Sequence, residues 1–234
     1  MPAQRISSQE KAYRFLKSAI LDLEFRPNAR LRTETIASRI HLSRTPIREA
    51  LSRLEQEGLV LRDHGSGYVV RSITVKEAID IYEVREVLEV KAVRAAIPRI
   101  TRDLSRQLAS YLRKAADRLR QGKLREYRDN IRAFNLTIAR GTGNSYLEFL
   151  LSLMADRIRW LGAMIADCYP DYPRESLDGN RKVLAALAAG DQAAAEKAVR
   201  KHVSRARDSF MRYVIADSRS PRDRAGVTVF PGYP

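Results

Sequence analysis

The sequence predicts a mainly α protein in two parts, a small N-terminal unit of three helices and two strands and then a larger unit of helices alone. Three observations predict it. From residue 8 to 56 apolar side chains recur at intervals of three and four, interrupted by turn residues. Residues 59–70 switch to short β-branched and aromatic runs around a Gly-rich loop. After residue 71 only the helical period returns, in long segments broken by Gly, Asn, Asp and Pro.

Ser7-Ser8-Gln9-Glu10 has capping-box spacing, and Tyr13, Leu16, Ile20 and Leu23 follow at helical intervals. A first helix is expected over 8–24, ended by Arg26-Pro27-Asn28. Thr33 is the expected cap of a short second helix with Ile36, Ala37 and Ile40 inward. His41-Leu42-Ser43 makes a tight turn. Ser43 caps a third helix, and Pro46 lies in its first turn, where a missing N–H costs little. Ile47, Ala50, Leu51 and Leu54 form one buried stripe, and Gly58 is a natural stop. Leu59-Val60-Leu61 and Tyr68-Val69-Val70 read as strands around Asp63-His64-Gly65-Ser66-Gly67. This order of elements is that of a winged helix-turn-helix.

Thr74-Val75-Lys76-Glu77 is a second capping box, opening a helix that runs to about residue 99 near Pro98. Further helices are expected over 101–121, 124–140, 144–168, 174–189 and 192–216, with Asp191 capping the last. Residues 218–234 contain three Pro and two Gly with little periodicity and read as a loose tail.

The chain carries a net charge of +15, which favours polyanionic partners. The charge is spread: +4 over residues 1–70 and +11 over the rest, so most of it belongs to solvated helix faces. No apolar run reaches the ~18 residues of a membrane span. The opening residues lack the apolar core of a secretory signal, so the expectation is a cytoplasmic protein with no membrane partner. The single cysteine, Cys168, excludes an internal disulfide and reads as a buried or incidental thiol. An enzyme is disfavoured. There is no Gly-rich phosphate loop or nucleophile elbow, and two of the three histidines, His41 and His64, fall in the N-terminal unit.

Residues 31–60 closely resemble the signature of GntR-type transcription regulators, most of all over Ser43-Arg44-Thr45-Pro46-Ile47-Arg48-Glu49-Ala50-Leu51. Arg44 and Arg48 stand four apart, opposite the apolar stripe. A guanidinium can fork onto guanine O6 and N7, Thr45 can meet a phosphate or a thymine methyl, and the backbone N–H groups after Ser43 favour a phosphate. The resemblance adds Arg32 and Thr33 as DNA-backbone contacts and His64-Gly65 as a wing tip reaching the minor groove. Glu49, a carboxylate unsuited to facing phosphates, is expected in an ion pair with an arginine. His41 stands where the family usually has Gly, so a positive φ is expected there.

Tyr82-Glu83-Val84-Arg85-Glu86-Val87-Leu88-Glu89, with Phe134, Gly143-Asn144 and the Ala-Leu-Ala-Ala-Gly-Asp run at 186–191, resembles the FCD ligand-binding domain of the FadR branch of that family. The resemblance implies an antiparallel all-α bundle with a central pocket. In many members one Asp and three His hold a divalent metal there, and the metal helps capture a small carboxylate. Carried over one by one, those positions fall on Ile131, Asn135, Asn180 and His202, and only the last is a strong donor. No metal and no other cofactor is therefore expected. Asn135, Asn180 and His202, with Arg85 nearby, are expected to form a metal-independent site for a small anionic effector such as a carboxylate. Against this stands a purely internal role, in which Arg85 pairs with a buried Glu and the amides bond within the core.

The resulting organisation is a winged helix-turn-helix DNA-binding domain over 1–72, an all-helical effector-binding and dimerisation domain over 73–217, and the tail over 218–234. The expected function is a ligand-responsive regulator, a repressor by family habit, that binds a pseudo-palindromic operator in double-stranded DNA as a homodimer. A constitutive DNA binder with a degenerate pocket is the alternative.

Overall fold

The computed structural model describes residues 6–63 and 67–217. The chain divides between Thr74 and Val75 into two compact units.

The first unit opens with α1 (Ser8–Leu21), where Ser7 Oγ accepts the Glu10 N–H at 3.2 Å. The Glu10 carboxylate completes no capping box; it pairs instead with Arg14 and Arg53. The helix stops short of residue 24. Asp22 is its C-cap, and Leu23 takes a positive φ of 62°. Asn28, at φ 64°, turns the chain again, and its N–H reaches Val70 O at 2.8 Å. In consequence Arg30–Leu31 forms a short strand, β1, that the sequence does not predict. With β2 (Val60–Asp63) and β3 (Gly67–Val70) it makes an antiparallel sheet of order β1-β3-β2, in which Leu31 faces Tyr68 and Val60 faces Val70. Two residues carry no periodic signal, so only the closing of the chain on β3 could reveal this strand.

Between β1 and β2 lie α2 (Thr33–Ile40) and α3 (Arg44–Gln56). The N-cap of α2 is Arg32, one residue before the expected Thr33, which becomes the first helical residue. His41 closes α2 in the left-handed region at φ 53°, its N–H on Ala37 O. The Ile47, Ala50, Leu51 and Leu54 stripe of α3 is fully buried, mainly against α1. At ~1.5–3 kcal/mol for each large aliphatic side chain, this seam dominates the small core. A polar clamp closes it: Tyr13 Oη donates to Glu57 Oε1 at 2.7 Å, Lys17 pairs with Glu57 at 2.8 Å, and Arg53 stacks 3.5 Å over the Tyr13 ring.

The second unit contains α4 (Val75–Ala96), α5 (Arg102–Arg120), α6 (Leu124–Gly141), α7 (Ser145–Cys168), α8 (Tyr172–Ala189) and α9 (Gln192–Asp217). Pro98 cuts α4 at Ala96 and leaves a 3-10 turn over Ile97–Arg99. α8 starts at Tyr172, two residues before the expected 174, because Pro173 fits its first turn. Side-chain caps close the starts. Thr101 accepts Leu104 N–H, Asn144 accepts Leu147 N–H, and Asp191 accepts Ala194 N–H at 2.9 Å. Trp160, Phe134 and Phe210 are the largest fully buried side chains. Ion pairs from Arg94 to Glu196 and from Arg200 to Glu86 tie α9 to α4.

One face is left apolar and open. On α7, Tyr146, Phe149, Leu150 and Leu153 are 80%, 56%, 44% and 59% exposed, at helical spacing. α4, which packs against α7, exposes Val84 and Val87. Cys168, read as a buried or incidental thiol, is exposed at the end of α7. The tail over 218–234 lies outside the described residues.

Candidate functional site

α3 begins at a bare end. Ser43 has extended backbone geometry, but its hydroxyl makes no capping bond, so the first N–H groups of the helix and the Ser43 Oγ face outward together. Arg44, Thr45 and Arg48 are exposed on the side away from the buried stripe. Arg44 Nη1 lies 3.2 Å from Glu34 Oε1 across the α2–α3 turn, in a pair so open to solvent that it holds the arginine only weakly. Arg48 is exposed and makes no ion pair among the described residues. Arg32 is exposed and Thr33 half-buried at the start of α2. His64 and Gly65 lie outside the described residues. Glu49 departs from expectation: it is exposed and makes no ion pair among the described residues. Arg53, one helical turn on, is drawn the other way, to Glu10, Glu57 and the Tyr13 ring.

In the helical unit, Arg85, Asn135, Asn180 and His202 line one cavity, with about 90 Å³ of space open to the centre of a water molecule. They come from α4, α6, α8 and α9, so no stretch of sequence contains the site. Arg85 is buried, and its Nε donates to Glu89 Oε1 at 2.7 Å. Its terminal nitrogens have no protein acceptor among the described residues. Asn180 donates to Ser176 O at 3.0 Å, which leaves its Oδ1 as acceptor. The internal bonds weighed against a ligand role are thus present, yet they use only part of each side chain. Asn135 makes no side-chain hydrogen bond among the described residues. His202 is 7% exposed. Burial, then the Arg85 and Arg205 charges, hold its pKa down to about 3 from an ordinary 6.5. The ring is neutral at physiological pH.

The donor set does not fit a metal. Position 131 offers an isoleucine, the two amides are weak donors, and the Arg85 charge that disfavours a proton on His202 also disfavours a cation beside it. Among the described residues no group of three or more His, Cys, Asp or Glu could hold a metal ion.

The family model for bacterial regulatory proteins of the gntR family matches residues 8–70, and the FCD domain model matches 80–205. The chain belongs to the gntR family. Its helical unit is an FCD domain. The HTH-type transcriptional repressor GlaR of Escherichia coli K12 is 32% identical over 203 residues, spanning 82% of this chain and 90% of that protein. The solved structure of E. coli McbR/YncC superposes at a TM-score of 0.76 with 22% identity, over 89% of this chain and 99% of that one. A transcriptional regulator of Rhodococcus sp. RHA1 superposes at 0.73 with 25% identity, over 87% and 97%. This gntR-family protein is a DNA-binding transcriptional regulator with an effector-binding FCD domain. No described helix is long and apolar enough to cross a membrane.

In this FCD domain three cavity residues escaped the sequence reading. Glu89 anchors Arg85, Tyr172 adds a hydroxyl from the first turn of α8, and Arg132 reaches in from α6. A signal for Arg132 existed. Arg128, Arg132 and Asn135 repeat at four and three along α6, one face of a helix that also carries Ile131. Tyr172 had none, because it precedes the helix expected over 174–189.

Proposed function

We propose that this regulator is a homodimeric repressor that reads a pseudo-palindromic operator through α3 and is controlled by a small anionic effector, bound without a metal in the FCD cavity. The observation that carries the reading is Arg48. It is exposed and unpaired among the described residues, one turn from the open start of a helix whose opposite face is buried. A guanidinium in that position has no internal task and suits guanine O6 and N7. Arg44 and Thr45 accompany it at the groove, with Arg32, Thr33 and Ser43 on the phosphates and His64-Gly65 at the adjacent minor groove. GlaR, a named repressor, supports the sign of control. The open apolar face of α7 supports self-association, and operator symmetry asks for it. Arg85, Asn135, Asn180 and His202 bind the effector, whose coupling to DNA affinity is on the order of 1–3 kcal/mol. No catalytic step is assigned to the chain, and a cytoplasmic location accords with its task.

The test is a binding titration of the purified protein on the duplex upstream of its own gene, located by footprinting. Arg48→Ala should lose about 1–3 kcal/mol on that operator and little on a scrambled duplex. Equal losses on both would make Arg48 a phosphate contact. Indifference of the parent protein to the native duplex at physiological salt would end the reading. Prior treatment with a chelator should leave the effector response unchanged.

A further inference from the structure

We propose that the groove between α8 and α9 is a second anion site, built to take a phosphate group such as that of a small phosphate monoester. It is distinct from the central cavity and goes beyond the effector reading, which stands or falls without it.

The groove offers about 40 Å³ of space open to the centre of a water molecule. At ~10–15 Å³ for each water-sized group this is room for roughly three or four, the scale of a phosphate group. Glu175, Gly179 and Lys182 repeat at four and three along α8, and Lys201, Arg205 and Ser209 at four along α9, so each helix turns one face to the groove. Gly179, Ala198 and Ala206 are the small residues that keep it open. Its charged residues are three cations, Lys182, Lys201 and Arg205, against one carboxylate, Glu175. None of the three cations makes an ion pair or a hydrogen bond among the described residues. Glu175 Oε1 already accepts the Tyr169 hydroxyl at 2.6 Å. The positive surplus matches a phosphate monoester, which carries about −1.5 to −2 at neutral pH.

Exposed cations are common on this chain, and the floor of the groove sets these apart. His202 is 7% exposed and has no hydrogen-bond partner among the described residues. Its Nδ1 faces α8 at Gly179, where a Cβ would stand 2.5 Å from it. Gly179 lines this groove and not the central cavity, so Nδ1 is the nitrogen that the groove reaches. Arg205 lies close enough for its charge to help keep the ring neutral. A neutral imidazole donates from one nitrogen only, and a buried donor without an acceptor is costly. A phosphate oxygen in the groove supplies the acceptor, holds the ring proton on Nδ1 and leaves Nε2 as an acceptor. Ser209 adds a hydroxyl with no partner among the described residues.

The experiment is calorimetric titration of the full-length protein with inorganic phosphate and with glycerol phosphate, at constant ionic strength in a phosphate-free buffer. One site per chain should fill with a Kd of about 1 mM or below. Tighter binding of the ester makes the ligand a phosphorylated metabolite, and equal binding makes it free phosphate. Lys201→Gln and Arg205→Gln should each weaken binding about three- to tenfold, while Lys114→Gln, which removes an exposed cation of α5, leaves it unchanged. Circular dichroism confirms that each variant is folded. In nitrogen NMR of histidine-labelled protein, the His202 signal, assigned by its loss in His202→Asn, should move to the Nδ1-protonated form as the site fills. No saturable binding, equal losses in Lys114→Gln and Lys201→Gln, or a His202 signal indifferent to phosphate overturns the site. If phosphate does not bind and Lys201→Gln lowers affinity for any duplex, the groove is a DNA contact instead. None of these outcomes touches Arg85 and the central cavity, whose effector response is read on the operator.

Discussion

Arg48 and Arg85 carry the same guanidinium into opposite surroundings, and the surroundings decide what each can do. Arg48 stands in water, where its charge is screened until a nucleic acid displaces the solvent. Arg85 is buried and cannot shed its charge, so it keeps Glu89 beside it and offers the remaining N–H groups to the cavity. His202, in the same cavity, answers burial by losing its proton. Its folded pKa of about 3 lies below the ordinary 6.5, so between those values the unfolded chain binds a proton that the folded chain refuses. Stability therefore falls on acidification through this window. Between about pH 6.5 and about pH 5 the histidine should contribute a slope approaching 1.4 kcal/mol per pH unit. Denaturant unfolding of the parent and of His202→Asn across that range measures it as a difference. Parallel pH dependences would show a solvated imidazole.

At the scale of elements, the approach of α9 to α8 depends on one small residue. A Cβ on Gly179 would stand 2.5 Å from His202 Nδ1, so the histidine ring packs where only glycine leaves room. Gly179→Ala should destabilise by about 1–3 kcal/mol through this clash. In a His202→Ala background the same substitution should instead stabilise by up to about 1 kcal/mol, from the better helix propensity of alanine. A double-mutant cycle by chemical denaturation reads the change of sign. Elements were also the most legible level in the sequence. The long helices follow from periodicity and from a cap such as Asp191, and α3 from its Ile47–Leu54 stripe. β1 and the early stop of α1 are set by how the chain folds back on β3 and turns at Leu23 and Asn28, not by local propensity, whereas the start of α8 is local, since Pro173 suits the first turn of a helix.

For the molecule as a whole, the exposed stripe of Tyr146, Phe149, Leu150 and Leu153 suits the proposed homodimer, since contiguous apolar patches mark contact surfaces. Self-association there also avoids the repulsion that a chain of net charge +15 would meet across a basic face. Leu153→Glu, with little to lose in the folded monomer because the position is exposed, should shift sedimentation from dimer to monomer at micromolar concentration. It should also weaken operator binding far more than binding to a single half-site. An unchanged dimer would move the interface elsewhere.

The residues by themselves determined the elements and the chemistry of the α3 end. A helix that buries one face must expose the other, and Arg44, Thr45 and Arg48 lie on the other. They also determined that, of the four positions matching the family's metal ligands, only His202 is a strong donor. The resemblance implied that Arg85, Asn135, Asn180 and His202 share a pocket, and only the tertiary structure brought them, spread over more than a hundred positions, to one cavity together with Arg132 and set Glu89 on part of Arg85. The reason is physical: periodicity says which face of a helix turns inward, but which inward faces meet is fixed by how whole helices pack.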